Sequence, residues 1–299
     1  MNADGLYHIS LMDGQARAIL IESTQLVQRA MEIHGLSRTA TAALGRTLTA
    51  TVMMGSMLKG EHESISAQIK GGGPIGTVLA VAHGNCTVKG YVDNPLVELP
   101  RTGKKLPVGD AVGKNGKLTV IKDIRMKEPY IGQVNLVSGE IAEDFAMYFT
   151  ASEQTPSLVS LGALVSDRVE AAGGLMIQLM PGASEACIAS IENSVGMFMD
   201  ISATMREYHL RDSVQQLLLH LDPVILETKY PRYSCDCSRE RIERMLITLG
   251  ADELEDMIKT QRGAEVDCHF CNKRYVIREE ELRQLREVCL TGRGHEEQS

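Results

Sequence analysis

Cys235-Asp-Cys237 and Cys268-His-Phe-Cys271 place the strongest constraint on what this chain of 299 residues can fold into. Each close pair fits one tight turn. Two such pairs, thirty residues apart, match what a tetrahedral thiolate zinc site needs once the intervening segment folds back. The carboxy-terminal part must then be a small module whose two turns meet at a metal. Zinc in a closed four-thiolate site is structural, yet four thiolates are also open to oxidants. Structure and redox sensing are both implied.

The surroundings of the cysteines fit such a module. SRERIERMLITLG and ADELEDMIKTQRG read as helices, with Ser238 as N-cap and Gly250 and Gly263 as stops. KRYVI after the second pair reads as a short strand, and REEELRQLREV as a terminal helix. His269 lies inside the second pair, but four thiolates already complete a tetrahedron, so it is read as a neighbour of the metal. Cys86, Cys187 and Cys289 are isolated, and isolated cysteines are mostly small buried hydrophobes. Cys268 and Cys271 have thioredoxin spacing but lack the preceding strand and following long helix of that setting.

Upstream, the first sixty residues read as helical. Thr24 to His34 is a short periodic segment stopped by Gly35, and Ser37 can cap the small-residue helix RTATAALGRTLTATVMMGSML. From Ser64 the period becomes two, and SISAQIK, TVLAVA, CTVKGYV and KLTVIKDI read as strands. Val134 to Val165 reads as helix again, broken near Ser152 to Thr155, and LMIQLM as a further strand. The run from Lys70 to Gly76 carries no Gly-Lys-Ser/Thr and precedes a strand, so it reads as a glycine-rich hairpin rather than a phosphate loop. Without strict βαβ alternation the fold class is α+β. We expect an N-terminal core of helices with an antiparallel-type sheet over residues 1–182. A helical linker follows over 183–232, then a small C-terminal zinc module with four cysteine ligands over 233–293. The linker is helix-like, with Val214, Leu217, Leu218 and Leu221 at helical spacing and Pro223 and Pro231 near its end.

Composition narrows the function classes. Hydrophobic content of 43% and charged content of 23% are ordinary for a globular protein. No basic segment followed by an apolar run opens the chain, no stretch reaches the length of a membrane span, and seven cysteines suit no secreted disulfide framework. The cytoplasm is the natural reading. Net charge is −8, and Tyr230 to Ser299 holds twelve basic against fifteen acidic residues. Zinc modules that grip nucleic acid carry a basic excess, because phosphate neutralisation supplies most of their affinity. That charge argues against a nucleic-acid partner, and no membrane partner is expected.

YSCDCSRERIERMLITLG together with VDCHFCNKRYVI resembles the redox-switch domain of the heat shock protein 33 family. QIKGGGPIGTVLAVA followed by GYVDNP resembles that family's N-terminal domain, so the likeness spans nearly the whole chain. The resemblance implies a redox-regulated holdase chaperone, not an enzyme, that binds unfolding client proteins without ATP, usually as a homodimer when active. It implies one Zn²⁺ held by Cys235, Cys237, Cys268 and Cys271 when reduced. On oxidation it implies metal loss, linker unfolding and the disulfides Cys235–Cys237 and Cys268–Cys271.

Magnitudes agree with such a scheme. A structural zinc site supplies roughly 10–16 kcal/mol of apparent binding free energy, against about 3–5 kcal/mol from a core this small. Disulfides closing loops of three or four residues return only about 1.5–2 kcal/mol each. A bridge such as Cys237–Cys268 would close a long loop and could hold the module shut. Four cysteines allow three connectivities, and the residues alone do not choose among them. Two other readings compete: a zinc-dependent nucleic-acid-binding protein, and a thiol-disulfide oxidoreductase using Cys268 and Cys271.

Overall fold

The computed structural model describes residues 3–100 and 105–296. They form two compact units, Met1–Ser234 and Cys235–Ser299. The first unit opens with β1 (Gly5–Leu11), β2 (Ala16–Glu22), α1 (Thr24–His34) and α2 (Arg38–Gly55). Next come β3 (Ser64–Lys70), β4 (Thr77–His83), β5 (Thr87–Val92), the short α3 (Val108–Val112), β6 (Lys117–Asp123) and β7 (Tyr130–Asn135). After α4 (Ala142–Ala151) the chain forms β8 (Ser157–Val165) and β9 (Val169–Leu179). Helices α5 (Glu185–Asn193), α6 (Val195–Phe198), α7 (Ile201–Glu207) and α8 (Leu210–Leu218) follow, then β10 (Val224–Lys229) and β11 (Arg232–Tyr233).

Two sheets result, ordered β10-β1-β2-β9-β8 and β11-β5-β4-β3-β6-β7. All neighbours are antiparallel except β11 and β5. The α+β expectation holds. Helix α2 runs through the main core, and its composition explains how it fits there. Ser37 accepts from the Ala40 N–H at 3.1 Å, capping the start. The hydroxyls of Thr47, Thr49 and Thr51 donate to carbonyls four residues earlier at 2.7–2.9 Å, so no polar atom of theirs is stranded. Gly45 lets α1 approach: a Cβ there would lie 2.6 Å from a methyl of Val27.

The glycine run is the expected hairpin between β3 and β4. Its backbone also docks on the segment around α3, with Gly73 N–H donating to Val112 O at 2.9 Å and Ile75 N–H to Ala111 O at 3.0 Å. A Cβ on Gly73 would sit 2.3 Å from Ala111 O, so glycine is required there by close packing.

The five-stranded sheet is apolar on both faces. Ile19 and Ile21 of β2 join the core around α2, while Ala16, Ala18 and Leu20 face the other way. That second face is covered by α5–α8 through Cys187, Ile191, Phe198, Ile201, Met205, Leu210, Val214, Leu217 and Leu218, and by Leu221 in the turn after α8. The helical segment expected as a linker therefore has its partner surface in the first unit.

Three local expectations are corrected. Residues 5–22 are a β-hairpin rather than helix; nearly every residue of β2 is buried, and a continuous apolar run carries no period. Between Val134 and Val165 only α4 is helical, flanked by β7 and β8, although the expected break after Ser152 is present. Beyond Pro223 the linker is extended: β10 pairs with β1 and β11 with β5.

The second unit contains α9 (Arg239–Leu249), α10 (Ala251–Gln261), β12 (Gly263–Asp267), β13 (Arg274–Arg278) and α11 (Glu279–Glu296). Ser238 caps α9 by accepting from the Arg241 N–H, and Gly250 ends it at φ 96°. Helix α10 stops one residue earlier than expected, at Arg262 with φ 55°, and Gly263 opens β12. Ile242, Leu246, Leu254, Ile258, Ile277 and Leu282 form a separate small core.

Candidate metal centre

All four cysteines singled out in the sequence come together in the second unit. Cys235 and Cys237 lie in the irregular segment between β11 and α9, and Cys268 and Cys271 in the turn joining β12 to β13. Their sulfurs lie within 4.8 Å of one another, Cys235 Sγ 3.7 Å from Cys268 Sγ and Cys237 Sγ 3.3 Å from Cys271 Sγ. A tetrahedron with metal–sulfur bonds of about 2.3 Å has edges of about 3.8 Å. The donor set therefore fits a single soft divalent ion such as Zn²⁺. No other group of three or more His, Cys, Asp or Glu among the described residues is placed for a metal, and His269 is outside the cluster.

Local chemistry sets each turn. Cys271 N–H and Asn272 N–H both donate to Cys268 O, at 3.2 and 2.8 Å, and Cys268 N–H donates to Lys273 O at 3.0 Å. Asn272 takes φ 56°, a left-handed position that asparagine tolerates. Below the turn Arg274 grips Asp267 through two bonds of 2.8 and 3.0 Å. On the other side Arg241 pairs with Asp236 at 2.5 Å, between the first two sulfurs. Arg239 reaches Glu243, Glu281 and Val276 O, tying the first turn to β13 and α11.

Electrostatics without a cation are unequal. Burial pushes the Cys235 thiol up, and Cys271 up to about 11. Burial also acts on Cys237, but hydrogen bonds from Tyr275, Cys271 and the other two cysteines outweigh it and hold that thiol down to about 7. Tyr275 donates from its hydroxyl to Cys237 Sγ at 3.1 Å, and its own acidity is suppressed by that bond. Four close sulfurs cannot all ionise unaided, so four thiolates require a cation among them. All four cysteines are partly exposed, within reach of small oxidants.

Cys86, Cys187 and Cys289 are buried and stand apart from the centre. Cys289 Sγ packs in the small core, 3.3 Å from Ile247 O. Sequence reasoning passed over Tyr275, Arg239 and Arg241. The Ser-Arg-Glu-Arg run after the first pair was the available signal for the two arginines.

Fold and centre together define a two-unit protein: an α+β body and a carboxy-terminal module organised by four converging thiols. Its relatives give that class a family. The profile described as Hsp33 protein matches residues 4–278, and the chain belongs to the Hsp33 family. It is 47% identical over 274 residues to the 33 kDa chaperonin of Alkaliphilus metalliredigens, covering 90% of this chain and 94% of that one. It is 45% identical over 286 residues to the 33 kDa chaperonin of Acetivibrio thermocellus, covering 94% and 96%. The crystal structure of the 33 kDa chaperonin (heat shock protein 33 homologue) of Thermotoga maritima matches with a TM-score of 0.88 at 38% identity, covering 97% of this chain and all of that one.

Proposed function

We propose that this chain is a redox-regulated, ATP-independent chaperone that captures unfolding proteins under oxidative stress and is not an enzyme. The observation that carries this reading is the convergence of Cys235, Cys237, Cys268 and Cys271 in a module that the chain enters directly after its linker. Family membership and the chaperonin relatives supply the chaperone half of it.

In the reduced protein the four cysteines would hold one Zn²⁺, whose contribution is to cross-link the two turns. Each hydrogen peroxide would take two electrons from two of these thiolates and two protons from solvent, giving one S–S bond and two waters. Once the sulfurs are consumed in this way, nothing of comparable strength joins the turns, since the module's own core is small. The pairing taken from the family is Cys235–Cys237 and Cys268–Cys271. Sulfur contacts of 3.7 and 3.3 Å also run between the turns, so disulfide mapping is needed to assign the bonds.

The functional division is a core over 1–182, a metastable linker over 183–232 and a redox-switch module over 233–293. When the module opens, the linker keeps only its contacts with the core. Helices α5–α8 are short, and short helices depend on packing to persist. Their release would bare the apolar face of β1, β2 and β9 together with Met197, Met199 and Leu219, which are exposed already. Flexible methionines suit clients of varied shape. The partners are unfolded or partly folded proteins, with a second copy of the chain in the active state. Neither nucleic acid nor membrane belongs to this reading, and the cytoplasm is its compartment. Among the described residues, no helix is long and apolar enough to cross a membrane.

The experiment follows zinc release with a chromogenic chelator during treatment with peroxide and warming, alongside light scattering of a heat-unfolding client. Zinc release accompanied by suppressed scattering is expected. Oxidised, zinc-free protein that leaves aggregation untouched would overturn the reading.

A further inference from the structure

Strand β11 is only two residues long and pairs with β5, its backbone bonds including Arg232 N–H to Cys86 O at 3.1 Å and, just past its end, Ser234 N–H to Val88 O at 2.9 Å. It ends before reaching Gly90, the next residue whose backbone faces this edge. There the Tyr233 side chain takes over. Its hydroxyl donates to Gly90 O at 2.8 Å and the Gly90 N–H points at it from 3.3 Å. The same oxygen is 3.0 Å from His34 Nε2 at the end of α1, with the two rings edge to face. Gly90 leaves no room for a side chain of its own, since a Cβ would lie 2.5 Å from Leu79 O. One hydroxyl thus substitutes for the missing strand residue, two positions before the first sulfur of the metal centre.

We propose that the Tyr233 hydroxyl is a second lock on the switch, holding the end of the linker to the core independently of the metal. This rests on the function proposed above. Gly90 and His34 both belong to the first unit, so sulfur chemistry does not remove these two contacts. Disorder spreading from an opened module can stop at Ser234, where β11 begins its hold on β5. Release of β10, β11 and the helices before them then requires a separate step, in which the hydroxyl leaves Gly90 and His34. Metal loss and client capture become distinct in time.

The test compares the full-length reduced protein with Y233F, which keeps the ring and deletes the hydroxyl. Losing a hydroxyl that satisfies both polar groups of Gly90 should speed amide exchange over residues 224–234 roughly ten-fold. Exchange over residues 263–278 should be unchanged. Under peroxide, Y233F should release zinc at the wild-type rate but capture client after a lag several-fold shorter. H34Q, which disturbs one partner only, should show a smaller rise over the same residues and decides the matter if Y233F does not fold. Wild-type exchange over 224–234 in the folded variant would overturn the lock. Failure of oxidised wild type to capture any client would instead sink the proposed function, while the exchange comparison in reduced protein would still judge the lock.

Discussion

The Tyr275 hydroxyl lies 3.1 Å from Cys237 Sγ and donates its hydrogen bond to that sulfur. Tyr275 is buried on β13, and the ammonium of Lys273 sits 5.0 Å from the centre of its ring. A donor on a metal-binding sulfur orients it and spreads its charge, and such outer partners commonly matter ten- to hundred-fold for metal affinity. Tyr275→Phe keeps the ring and its packing but removes the bond. Zinc affinity, measured by competition with a chromogenic chelator, should fall by about ten-fold. An unchanged affinity would show that the hydroxyl is bystander to the site.

Removing the metal tests what holds the module together. Its core is one small cluster around Leu246, Leu254, Ile277 and Leu282. Against a core worth about 3–5 kcal/mol, a structural zinc site worth roughly 10–16 kcal/mol would decide the fold. Chelation, or Cys268→Ser, should erase amide-exchange protection in β12 and β13 while β3, β4 and β6 stay protected. Protection in β12 and β13 that survives both treatments would mean that the module folds without its ion.

Legibility in the sequence followed how local the determining physics is. The cysteine turns, the cap at Ser238 and the stop at Gly250 depend on a few neighbouring residues, and all were readable. So were β3 to β6, whose buried and exposed positions alternate in β3 and β4. Strand β2 is covered on both faces, so its apolar run has no period to read. Strand β10 was hidden for another reason. Val224, Ile225 and Leu226 are exposed, and they are extended because β1, more than two hundred residues earlier, offers an open edge. Tyr275 escaped notice because its role depends on a sulfur thirty-eight positions away.

Weakening the linker's seat should mimic oxidation. Leu218 is fully buried against the five-stranded sheet. Leu218→Ala deletes that packing and leaves a cavity, at a cost of about 2–5 kcal/mol. Gly162 offers an independent route: a Cβ there would lie 2.7 Å from Ser202 Cβ and 2.8 Å from Ser202 N, so Gly162→Ala must push α7 off β8. Both variants, reduced and zinc-bound, should bind a hydrophobic dye and suppress client aggregation without oxidant. Dye binding at the wild-type level in both would show that these helices do not gate the surface.

Asp4 makes the first unit's stability depend on pH in an unusual direction. Its carboxylate accepts from the Gln25 and Leu26 N–H groups at 2.9 and 2.6 Å, at the start of α1. Burial nonetheless outweighs those bonds and, with nearby Glu22 adding repulsion, raises its pKa from 3.8 to about 6. The folded state therefore binds this proton more tightly than the unfolded chain does. The stabilisation is fully present below pH 3.8 and is lost as pH rises through 6. Between pH 7 and pH 5 it should add about 1 kcal/mol. His8 works the other way, because burial holds its imidazole below the usual range and favours its neutral form. Comparison with Asp4→Asn isolates the carboxylate. Denaturant unfolding of the first unit at the two pH values should show wild type gaining about 1 kcal/mol relative to Asp4→Asn on acidification. Parallel pH dependence in the two proteins would show that Asp4 carries no proton in this range.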